Sequence, residues 1–323
     1  MTKFLNQKST REGFGEGLIE LGESNKNVVV LTADLAESTK VADFAKRFPE
    51  RFIECGVAEQ NMAGIAAGLA AEGKIPFITS YAVFSPGRNW DQIRVSICYS
   101  NLPVKIIGCH TGLSVGPDGA THQALEDIAL MRVLPNMTVV VPCDAIQAKQ
   151  ATIEISKISG PCYLRLTREA TPEINKSSNS KFQIANAEIL ENYGQDSAIV
   201  ACGPLVYQAL VAAKELNDEG IKTMVINNHT IKPLDKTTLL KTARDCGAIV
   251  TVEEHQINGG MGSAVAELLS ANYPVPMEFV GMQDSFGESG QPGELLEKYG
   301  MSVGKIKQAV KRAIDRKAIG TRQ

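Results

Sequence analysis

The chain has 323 residues, of which 44% are hydrophobic and 21% charged, and its net charge is -3. That balance suits a globular protein long enough for two domains, each able to bury a core. Its interspersed charges form no basic stripe for nucleic acid, and no run approaches the roughly twenty apolar residues that span a bilayer. The first residues turn polar by Asn6-Gln7-Lys8, too soon for a signal peptide. Seven cysteines, odd in number and scattered without a CxxC pair, fit buried reduced thiols in a cytoplasmic protein better than a disulfide frame or a zinc site.

In chain order, runs rich in valine and isoleucine alternate with apolar positions at helical spacing. Strands are expected at 27–32, 74–78, 104–108, 137–141 and 162–166, with helices around 11–23, 58–72, 88–100, 124–132 and 144–158. From Glu169 to about Ala187 the composition shifts to Pro172, Asn175, Lys176 and Ser177, which reads as a linker. A second series follows, with strands at 197–201, 222–226, 248–252 and 278–280 and helices near 204–217, 234–245, 261–271 and 303–316. Such alternation predicts βαβ units and mostly parallel sheets. The expected organisation is α/β in two domains, 1–170 and 191–323, joined by a linker at 171–190.

Several segments carry residues suited to chemistry. Gly56-Val57-Ala58-Glu59-Gln60-Asn61-Met62-Ala63-Gly64 sets one carboxylate in a small, apolar run that continues through Ile65, Ala66, Leu69 and Ala70. Glu59 is therefore expected at the start of a buried helix, where a charge needs a partner or takes up a proton. The first strand runs out into Asp34 and Ser38, at the edge where open α/β sheets gather ligand residues, although an N-cap is the plain alternative. Tyr81 and Phe84 stand three apart and can clamp a heteroaromatic ring or simply pack a core.

The loop from Cys109 to Gln123 holds two of the four histidines, His110 and His122, together with Asp118 and three glycines. Placed between a strand and a helix, it can bring imidazoles and a carboxylate to sugar hydroxyls. Its spacing fits no standard zinc pattern. Arg168 ends the last strand before the linker and Arg11 opens the first helix; a guanidinium fork suits phosphate, although either alone is an ordinary ion-pair former. The turn Glu253-Glu254-His255-Gln256-Ile257-Asn258-Gly259-Gly260-Met261-Gly262-Ser263 is a weak phosphate signal and is given no catalytic role. His229 and His255 read as strand-end polar residues.

Together these segments resemble the transketolase family of thiamine-diphosphate enzymes. The resemblance covers almost the whole chain but only the pyrimidine-binding and C-terminal domains of a one-chain transketolase. It implies a doubly wound parallel sheet followed by a transketolase C-terminal-like α/β domain. It also implies that Glu59 partners a ring nitrogen of the cofactor's aminopyrimidine, that Phe84 and Tyr81 stack on that ring, and that Asp34 lies near it. His110, Arg168, Arg11 and Ser38 would hold the anionic end of a sugar, and Asp118 with His122 would set its reacting hydroxyls. Glu59, His122 and His110 are the implied catalytic residues.

The Gly-Asp-Gly that marks the diphosphate module in this superfamily is missing; Gly116-Pro117-Asp118-Gly119 interrupts it with proline. The implied arrangement is a split enzyme. An N-terminal subunit would bring the diphosphate site and Mg2+, and the two chains would form an α2β2 heterotetramer. The reaction expected is transfer of a two-carbon ketol unit from a ketose, expected to be phosphorylated, to an aldose. Ala58 and Gln60 depart from the arginine and histidine usual in one-chain members. Three other readings stay open: a β subunit of a 2-oxoacid dehydrogenase, which lacks the His110–His122 loop; a deoxyxylulose-phosphate-synthase-like enzyme, normally one fused chain; and a non-catalytic scaffold, which has no need of clustered histidines.

Overall fold

The computed structural model describes residues 6–174 and 182–320, the last of these as backbone only. Two sheets organise the chain. The larger has seven strands in the order Thr230–Lys232, Thr138–Val140, Cys162–Arg165, Lys105–Cys109, Ile75–Tyr81, Val28–Thr32 and Phe52–Glu54. All of its pairs are parallel except the first, which is antiparallel.

The central strands are buried on both faces, which explains their unbroken valine and isoleucine runs. Val29 and Leu31 pack with Met62, Ala66, Ile93 and Ile97 on one side. Val28 and Val30 pack with Phe14, Leu18, Ala148 and Ile155 on the other. There the helices Thr10–Ser24 and Ala145–Ile155 lie so close that a Cβ on Gly13 would fall 1.9 Å from the Ala145 carbonyl oxygen. Only glycine fits.

The second sheet has five strands in the order Met277–Met282, Ile249–Gln256, Ser197–Ala201, Thr223–Asn227 and Glu188–Asn192, the last antiparallel to its neighbour. Helices Leu205–Asp218 and Val303–Gly320 flank it with the apolar cluster around Leu205, Val206, Ile306 and Val310. A single apolar cluster runs through both domains, joining Val139 and Val141 of the first to Ala198, Val200 and Val265 of the second. No helix among the described residues is long and apolar enough to cross a membrane.

Four short or edge strands carry no sequence signal. Gln7–Lys8 and Thr171–Pro172 pair with each other, while Phe52–Glu54 and Glu188–Asn192 are only partly buried and show no apolar run. Thr230–Lys232 is another omission with a larger effect, because it lies beyond the expected linker and yet completes the first sheet. Of that linker, 175–181 lie outside the described residues; Thr171–Pro172 and Glu188–Asn192 on either side are strands. The expected helix at 88–100 is instead a short α-turn, Trp90–Gln92, followed by π-helix over Ile93–Tyr99. Over two turns, apolar spacing does not separate the two kinds of helix.

Candidate active site

The carboxyl ends of five adjacent strands meet along one edge of the larger sheet, where ligands of open α/β folds gather. Asp34 and Ser38 follow Val28–Thr32, and Glu59 follows Phe52–Glu54. Tyr81 closes Ile75–Tyr81 with Phe84 just beyond, His110 follows Lys105–Cys109, and Arg168 lies past Cys162–Arg165.

Glu59 is the first residue of the helix Glu59–Ala71 and is 4% exposed. Its position is held from behind, because Asn89 Nδ2 donates to the Glu59 carbonyl at 3.2 Å and to Ser85 Oγ at 3.1 Å. The carboxylate has a partner that the sequence did not reveal. Arg88 Nη1 lies 3.1 Å from Oε1, while the Arg88 side chain is 49% exposed. The guanidinium also sits 4.1 Å from the centroid of the Phe84 ring, at cation–π distance. Four positions separate Phe84 from Arg88, and that spacing was the only available signal. An open cavity of about 590 Å³ is lined by Val57, Ala58, Glu59, Gln60, Asn61 and Arg88.

Tyr81, Phe84, His110 and His122 form one wall. Tyr81 lies 6.0 Å from Phe84 with nearly parallel rings and 3.9 Å from His110, and His122 meets Phe84 edge-on at 5.5 Å. The backbone at His110 has φ of +54°, and the side chain is 3% exposed. Burial, reinforced by the cations of Arg11 and Arg168, pushes its pKa down to about 3, so the ring is neutral. Arg11 Nη1 points a donor at His110 Nε2 from 3.5 Å. The ring proton therefore belongs on Nδ1, which is buried and has no partner among the described residues. His122 Nδ1 lies 2.9 Å from Thr121 Oγ1.

The remaining expected residues arrange themselves differently from their sequence reading. Arg11 Nη1 donates to Ser38 at 2.7 Å, but to its carbonyl and not its hydroxyl. Asp118 and Arg168, expected at different ends of a substrate, form an ion pair at 3.0 Å. Arg168 also donates to the Val115 carbonyl at 3.2 Å. Asp34 is exposed, with φ of +61°. Its N–H donates to Glu54 Oε1 at 2.8 Å, and the Gly56 N–H reaches the same oxygen at 3.0 Å, so Glu54 ties two of these turns together.

A second polar cluster lies between the domains. Asp127 accepts from Arg165 Nε at 2.8 Å and from the Tyr163 hydroxyl at 2.7 Å, all in the buried interior. Arg165 Nη2 goes on to the Glu254 carbonyl at 2.9 Å. Glu253 accepts the N–H groups of Met261 and Gly262 at 2.7 Å each, and burial pushes its pKa up to about 7. His255 and His229, expected at strand ends, are both fully buried; His255 sits within a strand and His229 just before one. Among the described residues no group of three or more His, Cys, Asp or Glu is placed to hold a metal ion.

The first edge combines a buried carboxylate facing an open cavity, a wall of aromatic and imidazole rings, and three arginines, a set suited to a heteroaromatic ligand and an anionic one. The model of the transketolase pyrimidine-binding domain matches residues 6–173 and that of the transketolase C-terminal domain matches residues 185–306. A 6-deoxy-6-sulfo-D-fructose transketolase subunit from Clostridium sp. is 41% identical over 313 residues, covering 97% of this chain and 97% of that one. A subunit of an apulose-4-phosphate transketolase from Phocaeicola vulgatus is 38% identical over 296 residues, covering 92% and 94%. Among solved structures, a split-gene transketolase described as an inactive β4 tetramer superposes with a TM-score of 0.89 at 50% identity, over 96% of this chain and 99% of that one. Two successive domain matches across nearly the whole chain, with relatives of the same length, lead to one conclusion: the chain belongs to the transketolase family.

Proposed function

We propose that this chain is the pyrimidine-binding half of a two-chain, thiamine-diphosphate-dependent transketolase that moves a two-carbon ketol unit from an anionic ketose to an aldose. The observation that carries the reading is Glu59: a buried carboxylate at a helix start, opening onto a cavity beside Phe84. The residues present fit the cofactor's aminopyrimidine. Glu59 supplies the acceptor for a protonated ring nitrogen, and Phe84 and Tyr81 supply aromatic faces. His110 Nδ1 and Arg11 Nε are buried without a partner among the described residues, which leaves polar atoms free for a ligand. When bound, thiamine diphosphate supplies the carbon nucleophile and the electron sink.

The chain's own residues then have defined tasks. Glu59 holds the proton on the ring nitrogen and fixes the ring's orientation. Arg88 exchanges its hold on Glu59 for the ligand, which its half-exposed side chain permits. His110, neutral, donates from Nδ1 towards the substrate, and His122 with Asp118 positions the hydroxyls at the reacting carbon. Arg11 and Arg168 bring two positive charges to the same edge. The names of two relatives carry a sulfonated and a phosphorylated sugar, and a guanidinium fork accommodates either anion.

Mg2+ requires a near-octahedral set of oxygens, and the Gly-Asp-Gly segment that accompanies it in this superfamily is missing from the sequence. The diphosphate and the metal therefore belong on a second subunit in an α2β2 assembly in the cytoplasm. The solved relative described as an inactive β4 tetramer supports the need for that partner. The test is co-expression with a Gly-Asp-Gly-bearing partner, followed by a ketol-transfer assay on sulfonated and phosphorylated ketoses. Activity should appear only in the mixed complex. Turnover by this chain alone with thiamine diphosphate and Mg2+ would refute the shared site.

A further inference from the structure

The end of the strand Ile249–Gln256 touches the His110–His122 loop and its C-terminal flank through three consecutive residues, Glu254, His255 and Gln256. Glu254 is 3% exposed, and its carboxylate accepts the backbone N–H of Ser114. The loop is shaped around this side chain. Gly112 has φ of +83°, and a Cβ there would lie 2.5 Å from the Glu254 carboxyl carbon. Gly112 N–H in turn donates to the Ala124 carbonyl at 2.8 Å, closing the neck of the loop.

On the far side of that neck, Gln256 N–H donates to the Leu125 carbonyl at 2.8 Å, and His255 Nε2 accepts the Ala129 N–H at 3.4 Å. Glu253 faces its own domain and caps the helix Met261–Asn272 through the Met261 and Gly262 N–H groups. Gln123 completes the junction, because its Nε2 donates to the carbonyls of Leu113 at 3.1 Å and of Glu288 at 2.9 Å. Both ends of the loop are thus held by the other domain, and its middle lies against that domain too, since a Cβ on Gly116 would fall 3.2 Å from Pro292 and one on Gly119 2.5 Å from the Ser289 hydroxyl oxygen.

We propose that Glu254 is a positioning residue: it makes the C-terminal domain the jig that sets the loop's His122 and Asp118 against the Glu59 side of the site. It acts through the Ser114 backbone and touches no substrate. A buried carboxylate accepting an N–H is a stiff, charge-assisted hold, and a misplacement on the order of 1 Å at a reacting group can slow turnover by about a hundredfold. This inference rests on reading the loop as the substrate loop.

The test compares Glu254→Ala with Glu254→Gln in the complex of this chain and its partner. The alanine variant should lower kcat/KM for the sugar donor by about tenfold to a hundredfold, with thiamine-diphosphate affinity unchanged. The glutamine variant keeps an acceptor oxygen and should recover most of that loss. In parallel, hydrogen exchange of amides 112–123 should quicken by about tenfold in the alanine variant while both sheets stay protected. Unchanged exchange in the loop, or an equal loss of cofactor and donor binding, overturns the proposal. If the alanine variant does not fold, the glutamine variant decides: wild-type-like kinetics and exchange support the hold, and a loss equal to that of an acceptor-free loop refutes it. Absence of ketol transfer in the wild-type complex, with the exchange result as expected, would instead remove the functional reading and leave the hold standing.

Discussion

Two arginine–carboxylate pairs in this molecule have similar spacing and opposite surroundings. Arg165 and Asp127 are 2.8 Å apart with side chains 2% and 1% exposed, whereas Arg88 and Glu59 are 3.1 Å apart with exposures of 49% and 4%. The first pair is completed on every side, by Tyr163, the Ala124 carbonyl and the Glu254 carbonyl. The second has one arm in solvent and opens onto a cavity. A buried pair with all its polar atoms satisfied fixes an architecture. A pair with one exposed member can trade partners, because water stabilises the arginine when it lets go. The contrast separates the part of this chain that holds shape from the part we propose meets ligands.

The largest expected effect falls on the open pair. Glu59→Ala, assembled with its partner, should lose activity by about 10³-fold or more, while circular dichroism and melting stay close to wild type. A melting point that collapses with activity would place Glu59 among the shape-holding residues and break the distinction. On the sealed side, Asp127→Ala leaves Arg165 buried and unpaired, which should cost about 3–5 kcal/mol in a denaturant titration. A cost below about 1 kcal/mol would show that water reaches the cluster.

The pH response sharpens the same contrast. Burial holds His110 at about 3 and His229 and His255 at about 4, below the ordinary 6.5. Between those values the unfolded chain binds protons that the folded chain refuses, so the stability these rings contribute is complete above about 6.5 and falls as the pH drops. Glu253, held up at about 7, acts in the opposite sense, binding a proton in the folded state first. Glu253→Gln removes that opposition and should steepen the loss of stability between pH 7 and pH 5 in urea titrations; an unchanged slope would mean that Glu253 is ionised in the neutral protein. The smallest effect is expected for Arg88→Ala, about 1 kcal/mol or less by the same titration, since its guanidinium already faces water.

Both sheets were legible where strands are buried on two faces, because uninterrupted valine and isoleucine carry the signal over Val28–Thr32, Lys105–Cys109 and Ser197–Ala201. Edge strands such as Glu188–Asn192, with only partial burial, lack that signature. For the site, the segments around Glu59, Phe84 and the His110–His122 loop were visible as unusual local groupings, and the fold draws them to one sheet edge. The Arg88 contact, the Arg168–Asp118 pair and the Asp127–Arg165–Glu254 cluster were not visible. Each joins residues 29 to 89 positions apart, and such pairings depend on the three-dimensional path alone.

Strand Thr230–Lys232 pairs antiparallel with Thr138–Val140, so the N-terminal sheet cannot be finished until the ribosome has moved past the second domain's first three strands. Until then the nascent chain carries a bare strand flank, which in a crowded cell is an invitation to mispairing and a natural customer for chaperones. A gene fragment ending after residue 173 would carry that flank permanently and should aggregate. The two halves of this polypeptide are consequently one folding unit at that edge, even though each has its own sheet.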